Sequence, residues 1–248
     1  VLTLNLDISK AQAPIVNPTL STEQMQGAIL ASRDSLLARE LMTRDASGQL
    51  VLNDQLNECV QLTFRPQTSV GLTVHHPGME PHLVFYNVAT TACVGNWTDA
   101  LGLVNFDMLS NAAKTMPGRL IKHWLGDAQT GKSVSSASYT IPLAALPADG
   151  VNPNDAQALR EMLVQSGLPA GEANDVIAAL STNSPRAVLT AATQRGDQTE
   201  VDMMVWFGNL SAPWVVTQDT AKTTSQLQRL SLSDLESRIG AFVTRLMP

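Results

Sequence analysis

Cysteine is nearly missing from this chain. Cys59 and Cys93 are the only two in 248 residues, and neither sits in a C-x-x-C pair. That spacing excludes a disulfide framework and a cysteine-rich zinc site, and leaves two reduced structural thiols as the expectation. Aromatic residues make up 4% and charged residues 15% of the sequence, so few side chains are suited to carrying chemistry. No apolar run reaches the roughly 18 residues of a membrane span. The start, VLTLNLDISK, lacks the basic-then-apolar layout of a secretory signal, so the expected location is cytoplasmic. On that expectation the acceptor-like tripeptides Asn96-Trp97-Thr98 and Asn209-Leu210-Ser211 carry little meaning. Basic residues are scarce too. Lys and Arg number 16 against 22 Asp and Glu, the net charge is −6, and no basic cluster occurs. Nucleic acid is therefore not an expected partner. No G-x-S-x-G elbow is present, which excludes the usual hydrolase arrangement.

One motif looks like chemistry. GDAQTGKS meets the phosphate-loop pattern through Gly126, Gly131, Lys132 and Ser133. Such a loop works only between a strand and a helix, where backbone N–H groups and a helix N-terminus hold the phosphates. Here LIKHWL before it ends a helical pattern, and VSSASYTIPL after it is poor in helix formers. No cofactor is expected. A second cluster, His75, His76, Glu80 and His82, gathers potential metal ligands around one turn. Alternation sends His75 and His76 to opposite faces, and turn residues make a poor cage, so a solvated turn without metal is the expectation.

Periodicity supplies the organisation. Ser21 and Gln24 open a long helix carrying Ile29, Leu30, Leu36, Leu37 and Leu41, and a short helix follows over Asn53–Cys59. Alternation then predicts strands in VQLTFR, VGLTVH and PHLVFYNVAT. Pro77-Gly78 breaks the last two into a hairpin. Further strands are predicted around Ala92–Trp97 and Leu101–Phe106. A helix capped by Asp107 follows, with Leu109, Met116, Leu120 and Trp124 on one face. After a connector the order repeats. Helices come around Leu159 and Val176, and strands in RAVLTAAT, TEVDMMVWF, PWVVTQDT and SQLQRL. A last helix opens at Ser233 and Glu236, with Leu235, Ile239, Phe242, Val243 and Leu246 on one face. An offset of about 126 residues relates the two runs by pattern rather than identity. The predicted class is α+β: a pseudo-twofold duplicated unit whose central antiparallel sheet is flanked by helical bundles. The expected organisation is one domain over residues 1–248, built of halves at about 20–126 and 151–248 joined by connector 127–150.

The order and phrasing of these segments resemble a known family. TLSTEQMQGAILASRDSLLARELM leads into VQLTFRPQTSVGLTV. GKSVSSASYTIPLAAL and GLPAGEANDVIAAL precede TEVDMMVWFGN and PWVVTQDT, and a final helix closes the chain. Over about residues 20–247 this resembles the EspG family, the chaperones of type VII (ESX) secretion, as a divergent member. The chain departs from that family in its strand-like start LTLNLD and its few arginines. The resemblance implies a non-enzymatic cytosolic chaperone that binds helical PE–PPE-like or other WXG-type clients. No family binding motif maps onto particular residues.

From the residues themselves, the best candidate for contact with a protein partner is the hairpin tip Pro77, Gly78, Met79, Glu80 and Pro81. The two prolines lower the ordering cost of binding, and Met79 offers an adaptable apolar contact. Two alternatives stand beside the chaperone reading: a roadblock-like regulatory module that binds a small GTPase, and a P-loop nucleotide-binding protein. Oligomeric state is not legible.

Overall fold

A computed structural model describes residues 21–64, 66–89, 93–98, 104–109, 111–126, 137–142, 156–180, 183–196, 198–219 and 224–247. It divides into two compact units, 1–65 and 66–248. The class is α+β, with a nine-stranded and a two-stranded antiparallel sheet.

The first unit holds α1 (Thr22–Ala38), a small hairpin of β1 (Met42–Arg44) and β2 (Leu50–Leu52), and α2 (Asp54–Phe64). Asp45 builds the hairpin turn by accepting from the Ser47 and Gln49 amides, at 2.8 and 2.9 Å. Gly48 takes the positive φ of +81° that closes it. Asn53 caps α2, its Oδ1 accepting from the Leu56 amide at 2.8 Å. The helix then runs through VQLTF, where alternation alone predicts a strand. Cys59 and Leu62, three apart and both buried, define its inner stripe. A five-residue alternation is too short to outweigh a capped helix already under way.

The second unit contains the large sheet. Its strands are β3 (Thr68–His75), β4 (His82–Val88), β5 (Cys93–Thr98), β6 (Val104–Leu109), β7 (Ala137–Pro142), β8 (Arg186–Arg195), β9 (Gln198–Phe207), β10 (Trp214–Asp219) and β11 (Thr224–Arg229). In space the order is β6-β5-β4-β3-β8-β9-β10-β11-β7. The β3–β8 pair sits near the middle, and three strands follow outward from each member in chain order. The strand β7, inside the stretch read as a connector, adds beyond β11. Helices α3 (Ala112–Leu125) and α6 (Leu232–Leu246) follow β6 and β11, and α4 (Ala156–Gln165) and α5 (Ala170–Ala179) precede β8.

Period-two alternation gives the sheet two faces. On one, Val70, Leu72, Val74, Val84, Tyr86, Leu189, Met204 and Trp206 pack with Met116, Leu120 and Trp124 of α3 and with Leu235, Ile239, Phe242, Val243 and Leu246 of α6. On the other, Phe207, Trp214, Val216, Leu227 and Ile141 pack with Leu159, Leu163, Ala173 and Val176 of α4 and α5. The helix caps fall at Asn111 and Ser231, whose side chains accept from the Lys114 and Asp234 amides. Asp107, expected as the first cap, lies instead in β6 and pairs with Arg119 at 3.2 Å.

Gly95 shows how tightly the first face is filled. A Cβ there would lie 2.5 Å from Cε1 of the fully buried Tyr86. Gly95→Ala is expected to destabilise the fold by about 1–3 kcal/mol through overpacking. Urea unfolding would check this; a midpoint equal to wild type would refute it.

Candidate functional site

The hairpin between β3 and β4 is built by its turn chemistry. The Met79 amide donates to the His76 carbonyl at 3.1 Å, Pro77 holds the first corner, and Gly78 takes φ +73° at the second. This is a Pro-Gly type II turn, whose second corner favours glycine. Residues Pro77, Gly78, Met79, Glu80 and Pro81 are all exposed, and Met79 is 70% exposed. The tip thus has the geometry expected of it. It holds a large apolar side chain in water on a turn with little freedom to lose.

Sequence reasoning missed the surface beside it. Strand registry places Phe106, Asn96, Phe85, Gly71, Thr190 and Met203 in one row across six strands. This row lies on the face that α4 and α5 cover at the other end of the sheet. Here Phe106 is 43% exposed, Phe85 39%, Met203 36% and the neighbouring Leu83 45%. Between these side chains the floor is made of small residues, Ser69, Gly71 and Thr73 of β3 and Thr190 and Ala192 of β8. Phe85 leans over Gly71, where an added Cβ would meet the ring at 3.2 Å. Four strands at a spacing of about 4.8 Å put the β4 and β9 backbones roughly 14 Å apart, and the Phe85 ring lies over part of the floor between them. Alternation in β4 and β9 is visible in the sequence. Which half of the face stays open depends on where the helices pack, and no local signal gives that.

The histidines do not converge as a group. His75 points to the open face, where burial and then the Arg186 charge lower its pKa. His76 stacks on Trp124 with ring centroids 6.2 Å apart. His82 faces α3, and its Nε2 lies 3.1 Å from Nδ1 of His123. Glu80 is exposed at the tip. Among the described residues no group of three or more His, Cys, Asp or Glu is arranged to hold a metal.

Both thiols are buried. Burial, followed by the charge of Asp107, pushes the Cys93 thiol up to about 12, far from a thiolate at neutral pH. Burial raises the phenol of Tyr86 as well. As for GDAQTGKS, Gly126 closes α3 with φ +54°, and residues 127–136 lie outside the described ones. The next described element is the strand β7, so the order is helix then strand, the reverse of a phosphate loop. Calorimetry with magnesium nucleotide is expected to give no saturable heat. Sub-millimolar binding abolished by Lys132→Ala would contradict this.

No protein-family model matches the chain, and no curated protein matches it. Among solved structures it is similar to that of the Mycobacterium tuberculosis type VII secretion system chaperone EspG5 in complex with a PE25–PPE41 dimer. The TM-score is 0.64 at 10% identity, over 98% of this chain and 90% of that one. At that identity the likeness is one of fold.

Proposed function

We propose that this chain is a non-enzymatic, cytoplasmic chaperone or adaptor that binds helical secretion clients of the PE–PPE or related WXG kind. The observation that carries the reading is the open apolar trough on the sheet, rimmed by Leu83, Phe85, Phe106 and Met203. Four large apolar side chains left between about a third and a half exposed on one sheet face mark that face as a candidate for protein contact. Apolar side chains standing above a floor of small residues on one sheet face suit the apolar stripe of an amphipathic helix. The tip Pro77–Pro81 serves as a second contact beside it. The fold likeness to a chaperone solved with a bound protein dimer supports the same reading. No helix among the described residues is long and apolar enough to cross a membrane. The GTPase-binding alternative calls for a small roadblock-like sheet, whereas this sheet has nine strands.

Met79→Asp tests the contribution of the tip. A side chain 70% exposed gives up little burial, so the thermal midpoint should stay near wild type. Affinity for the native client should fall at least about tenfold, some 1.4 kcal/mol. Unchanged affinity would remove the tip from the interface.

We also infer that the two runs β3-β4-β5-β6-α3 and β8-β9-β10-β11-α6 descend from one duplicated unit. The glycines of positive φ in the first turns, Gly78 and Gly196, stand 118 residues apart, and the caps Asn111 and Ser231 stand 120 apart. The register suggested by pattern alone, which sets Leu62 against Val188, fails because Leu62 belongs to a helix. Superposing residues 68–125 on 186–246 should lay β3–β6 and α3 onto β8–β11 and α6 in a single rigid-body fit. A fit that matches the strands but leaves the two helices in different places would contradict the duplication.

A further inference from the structure

The hairpin that presents the tip is fastened to the last turn of α3 at both of its roots. His76, where the chain leaves β3, stacks on Trp124. His82, the first residue of β4, meets His123, its Nε2 3.1 Å from Nδ1. Trp97 of β5 closes the other side, its ring edge-on to His123 with centroids 5.2 Å apart. Consecutive residues of one helix thus hold the two ends of the turn segment.

The His82–His123 contact depends on protonation by its chemistry. Two neutral imidazoles make one N–H···N bond, with one ring donating and the other accepting. Protonating either ring removes an acceptor or adds a buried charge. Protonating both leaves two donors and two positive charges facing each other. The charged groups bearing on the pair are His76 from the turn and Arg119 from α3, both basic. Lys122 beside them on α3 is exposed, and β5 contributes only the uncharged Trp97. The carboxylate of Asp107 on β6 is already engaged by Arg119. None of these groups rewards an added proton.

We propose that the His82–His123 pair is a proton-sensitive latch: neutral, it fixes the Pro77–Pro81 tip against α3, and in mild acid it lets the tip go. Burial is the main cause that lowers both rings, followed by His76 for His82 and by His82 and Arg119 for His123, which falls to about 4. The sign follows from linkage. With the folded pKa below the ordinary 6.5, the unlatched form binds protons more readily. The latch is therefore fully present above about pH 6.5 and is lost as pH falls toward 4. The latch itself stands on these contacts alone; its consequence for partner binding rests on the tip being part of the client interface.

Hydrogen exchange on the full chain, corrected for intrinsic rates, tests it. Between about pH 7.5 and 5, protection of the Met79 amide and of the Val74–His82 rung should drop at least about tenfold. The Thr68–Val88 rung at the far end of the same hairpin should change less than about twofold. In the double variant His82→Gln/His123→Phe, which removes both buried imidazoles, the pH dependence at the tip should disappear. Equal protection at both pH values in wild type would overturn the latch, and so would a pH response that persists in a folded variant. The wild-type arm decides even if the double variant fails to fold. Client affinity measured over the same range separates the two claims. A tip that loosens without loss of affinity upholds the latch and removes the tip from the interface.

Discussion

Trp124→Ala is expected to destabilise the protein by about 3–5 kcal/mol and lower its thermal midpoint by about 10 °C. Trp124 is fully buried, the largest side chain that α3 contributes to the core. Its ring meets the edge of Trp206 at a centroid distance of 6.0 Å, and its Nε1 donates to the Leu210 carbonyl at 3.3 Å. Truncation would empty a volume beside Trp206 that the surrounding buried side chains fill only in part, and would remove the donor to that carbonyl. It would also remove the ring on which His76 stacks. The hairpin tip should then exchange faster even at a temperature where the core stays folded. Calorimetry and hydrogen exchange on the same sample check both parts. A midpoint within about 3 °C of wild type would show that α3 does not anchor the sheet as described.

The second large effect is on binding. Replacing Leu83 and Phe106 together by Gln should weaken the client complex about a hundredfold, near 2.7 kcal/mol. Each side chain is a little under half exposed, at 45% and 43%. Completing the burial of a Leu or Phe of which just over half is already covered is worth about 0.7–1.4 kcal/mol, so the pair reaches that figure at the top of its range, and about tenfold marks the bottom. Both sit in strands, on positions that already face water, so the fold should lose little. Gln is chosen because it removes apolar surface without adding charge to a chain that already carries −6. A double variant that folds normally and binds as well as wild type would place the client elsewhere.

Much of this arrangement is legible in the sequence, for physical reasons that differ by element. The last helix announces itself because Leu235, Ile239, Phe242, Val243 and Leu246 recur at helical spacing, and all five are buried. Its cap falls two residues before the one that the capping-box pattern suggests. Ser231 accepts from the Asp234 amide, while Ser233 lies inside the helix. A run of serines offers several caps, and only the strand that feeds the helix decides among them. The β8–β9 hairpin is equally clear, with ten-residue strands on either side of Gly196. The strand β7 is hidden because ASYTIP alternates weakly. It is a strand by virtue of pairing with β11, a partner far along the chain. The imidazole pair is hidden for the same reason, since His123 lies 41 residues from His82 and no pattern links them. The tip is legible, because a Pro-Gly turn is a local event. The trough is not, because an open face is defined by the helices that do not cover it.

Site-specific photocrosslinking in the native cell puts the central claim to the most direct test. A crosslinking residue at position 85 lies on the rim of the trough, and one at position 228 lies on the opposite face, among the polar ladder of Gln228 and Ser138. The account predicts a discrete adduct from position 85, containing a small helical secretion protein, and none of it from position 228. No adduct at 85, or the same adducts from both positions, would contradict a client-binding role for the open face of the sheet.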